Sequence, residues 1–153
     1  MNTEVSLIPI ERDGTPREYS GSLPEVAREV ARATAELYAR AGFEEPWIGY
    51  VTVADERVVG TCGYKSRPQD GRVEIAYFTF PEFEGRGYAS TMAARLVAMA
   101  RQHDSSVVVA AQTLPERNAS HRVLEKVGFR HVDTIDHPED GKVWEWQLNE
   151  HGT

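Results

Sequence analysis

Apolar positions recur along this chain with two periods, and the switches between them mark out its elements. Val5 to Ile10 reads as a short strand, and Glu11 to Gly21, polar with Gly and Pro, as a loop. Pro24 suits the first turn of a helix. Val26, Val30, Ala33, Leu37 and Ala41 then follow at helical spacing as far as Gly42, a good helix stop. Trp47 to Ala54 and Val58 to Tyr64 are rich in β-formers and are joined by the turn-prone Asp55-Glu56-Arg57. Asp70-Gly71 leads into a further strand, Arg72 to Phe80. From Tyr88 to His103 the period becomes helical, with Ala89, Met92, Leu96 and Met99 as the buried stripe.

Val107 to Ala111 is a continuous apolar run, as expected of a central strand covered on both faces. Asn118 can cap a short helix whose Val123 and Val127 face the core and which stops at Gly128. Two last strands, Arg130 to Asp136 and Lys142 to Leu148, flank the turn Pro138-Glu139-Asp140-Gly141. Strand, helix, three strands, helix, strand, helix, two strands is the order of a mixed α/β (α+β) sheet layered with helices, not of a doubly wound one. Without a repeat, a low-complexity tract or a linker, residues 1–153 read as a single domain.

Composition narrows the partners. The formal charge of −7, with no Lys/Arg-rich stripe, argues against nucleic acid. No apolar run approaches the ~20 residues that span a bilayer, so no membrane partner is expected. Met1-Asn2-Thr3-Glu4-Val5 lacks the pattern of a signal peptide, which makes the cytoplasm the expected location. The single cysteine, Cys62, excludes an intrachain disulfide; set between Thr61 and Gly63 without a visible base, it reads as a small buried thiol. His131, His137 and His151 have no metal-ligand spacing, so no metal is assigned. His103 reads as a helix-end residue serving the dipole, and His121 as a solvated helical one.

The chemistry concentrates in Glu84-Gly85-Arg86-Gly87-Tyr88-Ala89, which lies between a strand and a helix. Glycines let the backbone turn so that several N–H groups converge. The following helix adds its unpaired first-turn donors and the positive end of its dipole. Such a junction suits a phosphate or pyrophosphate, although a plain strand-to-helix turn would use glycine in the same way. A dinucleotide fingerprint is not met, because only G-x-G is present, past the middle of the chain; no Gly-Lys-Ser/Thr follows to make a P-loop.

The segment downstream adds to this. Thr113-Leu114-Pro115-Glu116-Arg117-Asn118-Ala119-Ser120 leads into Val123-Leu124-Glu125-Lys126-Val127-Gly128-Phe129. Together with the turn it resembles the GNAT acetyltransferase superfamily, nearest the branch of ribosomal-protein N-terminal acetyltransferases. The family's phosphate signature, Gln/Arg-x-x-Gly-x-Gly/Ala, is matched by residues 84–89 except at Glu84; its second signature is matched fully over Glu125 to Phe129 and with one residue fewer over Asn118 to Ser120. The resemblance implies a mostly antiparallel sheet of about seven strands with helices on both faces, splayed between the fourth and fifth strands. It also implies direct transfer of an acetyl group from acetyl-CoA to a primary amine of a small molecule or peptide N-terminus. The donor would be held by backbone groups near Tyr77, Phe78 and Thr79, by the turn of Gly85, Arg86, Gly87, Tyr88, Ala89 and Ser90, and by Asn118. Arg86 would add charge near the phosphates.

Two departures matter. Glu84 sets a carboxylate beside the phosphate turn, and Leu124 occupies the position where many relatives carry a general-acid tyrosine. They leave open a catalytically inactive CoA-binding sensor. An amine with a pKa near ~10 must lose a proton to attack, and Glu74 is the candidate base, or else a strand glutamate paired with a nearby Arg or Lys. Ser120 either bonds the departing sulfur or is only a first-turn residue. Trp47, Tyr50, Tyr64, Trp144 and Trp146 line an acceptor pocket or fill the core. The acceptor loops would be Glu11 to Gly21 and Gly42 to Trp47, and a homodimer through the last strands is compatible with this reading.

Overall fold

The computed structural model describes residues 4–116 and 118–148; Met1, Asn2, Thr3, Arg117 and His151, read above from sequence, lie outside the described residues. The chain runs β1 (Ser6–Pro9), α1 (Glu25–Ala41), β2 (Gly49–Ala54), β3 (Arg57–Tyr64), β4 (Arg72–Thr79), α2 (Tyr88–His103), β5 (Val108–Thr113), α3 (Ala119–Val127), β6 (Phe129–His137) and β7 (Gly141–Leu148). A short 3-10 turn, Pro81–Phe83, joins β4 to the glycines before α2. The expected order therefore forms, with strand ends moved by a residue or two.

Seven strands make one sheet in the order β1-β2-β3-β4-β5-β7-β6. All neighbours are antiparallel except β4 and β5, which run parallel. That parallel pairing covers only Arg72↔Val108, Val73↔Val109 and Glu74↔Ala110. Beyond Glu74 the two strands diverge, so the expected splay between the fourth and fifth strands is present.

The two faces are covered differently. On one face α2 lays Met92, Ala93, Leu96 and Ala100, all fully buried, against β3 and β4, and α3 adds Leu124. On the other face α1 packs on β3. Its stripe differs from the sequence expectation. Ala27, Ala31 and Tyr38 face the sheet, Val30 and Leu37 sit at the margin, and Ala33 is exposed. Small residues let α1 approach closely at Gly14, where an added Cβ would lie 3.2 Å from the Ala31 carbonyl oxygen. Tyr38 ties the helix down, its hydroxyl donating to the Ile10 carbonyl at 2.8 Å and accepting from Gly49 N–H at 2.9 Å.

The run Val107 to Ala111 is covered on both faces only in part: Val107, Val109, Ala110 and Ala111 are buried, but Val108 is 39% exposed. Beside it, polar side chains take the place of a helix. Arg72 grips the buried Glu145 through Nε (2.8 Å) and Nη2 (2.7 Å), and Gln112 donates to the same carboxylate at 3.1 Å. Among the described residues no helix is long and apolar enough to cross a membrane.

Candidate active site

The site grows out of β4. Backbone groups of alternate strand residues point to the same side. Glu74 accepts from Lys65 N–H of β3 and Phe80 N–H donates to Val59 of β3, whereas Gly71 accepts from Val108 N–H of β5. Even-numbered residues of β4 thus turn their backbone toward β3 and odd-numbered ones toward β5. Past the end of the parallel pairing, Tyr77 and Thr79 therefore aim their N–H and C=O into the splay, while Phe78 is bonded on the β3 side.

The glycine turn sits at the far end of that gap. Gly85 has φ +79° and Gly87 φ +85°, left-handed values that favour glycine, and Gly87 is the N-cap of α2. The first-turn amides of α2 follow directly. Opposite them stands the head of α3, where Asn118 caps the helix by accepting from His121 N–H at 3.2 Å. Between the two helices and the end of β4 lies a cleft of about 600 Å³. Of the residues expected to hold a donor, Tyr77, Phe78, Thr79, Gly85, Gly87, Tyr88, Ala89 and Ser90 line it, and so does Ser120, the candidate partner of the departing sulfur. Arg86 instead lies over the Phe83 ring, 5.7 Å from its centroid, and Asn118 is engaged as a cap.

Two cations of the cleft wall escaped the sequence reading: Arg122 and Lys126, one turn apart on α3. The signal was available, since an i, i+4 pair of cations beside the apolar Val123 places both on one helix flank.

A second cavity, of about 180 Å³, opens on the opposite face between α1 and strands β2 to β4. Val30, Leu37, Thr34, Tyr50, Tyr64 and Lys65 contribute to it, and Tyr77 and Phe78 are shared with the first cleft. Val30 and Leu37 carried the helical period without being core residues; their apolar surface serves this cavity. Trp47 and Trp146 are core, at 5% and 1% exposure.

Glu74 faces the α1 side, with its carboxylate 2.7 Å from Lys65 Nζ and 3.4 Å from Arg72 Nη2. Tyr77, three residues on, lies on the other face of the strand. Its hydroxyl donates to the Ser120 carbonyl at 3.4 Å, and burial pushes the phenol above its ordinary pKa, opposed by that contact. Cys62 is buried, and desolvation pushes its thiol up to about 12, which leaves it an inert neighbour of Thr52.

One histidine corrects an expectation and another adds to it. His121 is buried, not solvated: its ring meets Trp146 edge-on at 4.5 Å and its Nε2 lies 3.1 Å from Glu125. His103 packs its ring on Trp47, 5.4 Å between centroids, as well as ending α2. Among the described residues no group of three or more His, Cys, Asp or Glu is placed to hold a metal ion.

A splayed mixed sheet with a glycine turn ahead of the second helix is the scaffold on which the comparisons agree. The family model described as an acetyltransferase (GNAT) domain matches residues 11–130, and the chain belongs to that family. N-acetylaspartate synthetase of Rattus norvegicus is 33% identical over 89 residues, 58% of this chain and 29% of the relative; the Homo sapiens protein is 32% identical over the same shares. The chain thus spans under a third of the length of these curated relatives. Solved structures agree in fold. A spermidine N-acetyltransferase SpeG chimera from Vibrio cholerae and hSSAT gives a TM-score of 0.67 at 16% identity, covering 96% of both chains. The aminoglycoside acetyltransferase AAC(6')-Ib in complex with coenzyme A gives 0.68 at 17%, covering 97% of this chain and 96% of that one. RimL, a ribosomal alpha-N-protein acetyltransferase, gives 0.66 at 12%, covering 95% and 90%.

Proposed function

We propose that this protein is an acetyl-CoA-dependent N-acetyltransferase that moves an acetyl group directly to a primary amine of a small molecule or peptide N-terminus. The single observation that carries this reading is the pair of cavities meeting at Tyr77 and Phe78, one on each side of the splayed strand. A donor in the larger cleft and an amine in the smaller cavity would approach one another through the gap.

The residues present fit the donor. Main-chain amides after Gly85 and at the head of α2 suit a diphosphate, and Arg122 and Lys126 supply positive charge from the opposite wall. The backbone of Tyr77 and Thr79 would hold the pantetheine amides like an added strand, and one of these N–H groups would polarise the thioester carbonyl. Bound there, acetyl-CoA supplies an activated acyl group with a good leaving thiolate. Glu84 is exposed at the rim and is compatible with backbone recognition.

On the amine side, Glu74 would accept the proton. Lys65 and Arg72 hold its carboxylate on the α1 face, and an incoming ammonium group would exchange for Lys65. Ser120 stands at the head of α3 in the donor cleft, in reach of the leaving group. Names of relatives range from an aspartate to a polyamine to a protein N-terminus, so the acceptor class stays at a primary amine.

The test is direct. Calorimetry should show acetyl-CoA binding, and thiol release should appear with members of a panel of amines and peptides. Binding without release on any amine would favour the second reading, a CoA-binding sensor, which the fully buried Leu124 motivates. Absence of binding would remove both.

A further inference from the structure

The acid of the reaction has no owner at its usual place. Leu124 is fully buried against the core and offers no proton. Across the cleft, however, a phenol is present that the strand supplies. Tyr77 lines both cavities, so it stands in the wall that separates donor from acceptor. Its Cα partner on β3 is Cys62, whose neighbour Thr52 contacts Met92 of α2; the side chain therefore belongs to the α2 side, opposite Glu74. From there its hydroxyl reaches the first turn of α3 at the Ser120 carbonyl, 3.4 Å away, a long bond that a better partner can displace.

We propose that the Tyr77 phenol is the proton donor to the departing sulfur of CoA, acting from the strand in place of the tyrosine that α3 lacks. This rests on the acetyl-transfer reading above. Tyr77 gives its proton to the sulfur, which keeps the bonding pair as the C–S bond breaks and the new C–N bond forms. Solvent returns a proton to the phenolate, and the proton lost by the amine passes through Glu74 to solvent. The sum is amine plus thioester giving amide plus thiol. Base and acid three residues apart on one strand must face opposite sides, so each meets its own reactant. Burial keeps the phenol protonated at neutral pH, ready to donate.

Tyr77→Phe keeps the ring and its packing and removes only the hydroxyl. Turnover should fall about tenfold, with little change in the KM for the amine. Two readouts do not depend on turnover. Wild type should bind CoA about fivefold more tightly than desulfo-CoA, and the variant should lose that preference. Thiolate absorbance of bound CoA should also emerge at higher pH in the variant, because the phenol no longer stabilises the anion.

A Tyr77→Phe enzyme with wild-type turnover and an intact preference for CoA over desulfo-CoA would overturn the assignment and leave acetyl transfer standing. Loss of that preference in Ser120→Ala instead would overturn it in favour of Ser120. Wild type that binds CoA yet releases no thiol would overturn both this assignment and the transfer reading.

Discussion

The two cavities that flank β4 are built on opposite principles. The larger cleft, proposed above for the donor, draws its lining from two continuous stretches, residues 77–90 and the first turns of α3. The smaller cavity, proposed above for the acceptor, takes its walls from residues of α1, β2, β3 and β4 and their flanks, spread from Ile10 to Phe78. Backbone recognition tolerates side-chain change and demands particular φ values, so it leaves a motif in the sequence. Side-chain recognition demands only that distant residues meet, so it leaves none. The difference teaches that one half of such a protein is written into local backbone geometry, while the other depends on which distant residues meet.

Substitutions can break that contrast, beginning with the strongest. Gly87→Asp puts a side chain on a residue at φ +85° and a negative charge at the helix N-terminus. CoA affinity measured by calorimetry should fall about a hundredfold, because the new carboxylate occupies and repels the place proposed for the phosphates. Unchanged affinity would mean that the phosphates lie elsewhere. Glu74→Gln should lower turnover about a hundredfold below the pKa of the amine, with the loss shrinking at higher pH as free amine becomes abundant. CoA affinity should not follow, which separates the two sides of the strand.

Glu145→Ala tests the polar ledge that replaces a helix beside the acceptor face. Burial alone would raise this carboxyl, but bonds from Arg72, Gln112 and Gln147 outweigh it and hold its pKa below the usual 4.5. A lowered folded pKa means the stabilisation is full above that ordinary value and is lost as pH falls through the lower one. Urea melts at pH 7 should show a loss of about 2 kcal/mol, discounted from a fully buried pair because Arg72 is about a third exposed, and a smaller loss in acid. Leu37→Trp is the mildest. It should fill part of the α1 cavity and raise the KM for bulky amines about tenfold, with CoA affinity unchanged. A shift in CoA affinity instead would show that the cavities are not independent.

Much of the fold was legible because period, cap and turn residues agree locally. Tyr88 to His103 forms as read, and α3 is bounded by the Asn118 side chain as cap and by the left-handed backbone of Gly128 as stop. The phase of α1 was not legible. Val30 and Leu37 look like core at helical spacing, but they border a cavity, and alanines take the contact with the sheet. His121 was misread for a similar reason, since nothing nearby in sequence announces Trp144 and Trp146 beside it. Two cations that the sequence reading passed over, Arg122 and Lys126 of α3, join the cleft wall because the fold brings α3 there, while Arg86 lies over Phe83.

What the sequence determined by itself is the order of elements, the left-handed glycine turn before α2 and the cap of α3, all products of interactions among residues a few positions apart. What only the tertiary structure decided is which side of β4 each group serves. Glu74 and Tyr77 part by strand parity, but the sheet opens between its two cavities only because β5 leaves β4 after Ala110. Helices α1 and α2 then close over opposite faces. Long-range packing sets that divergence, and no local preference encodes it.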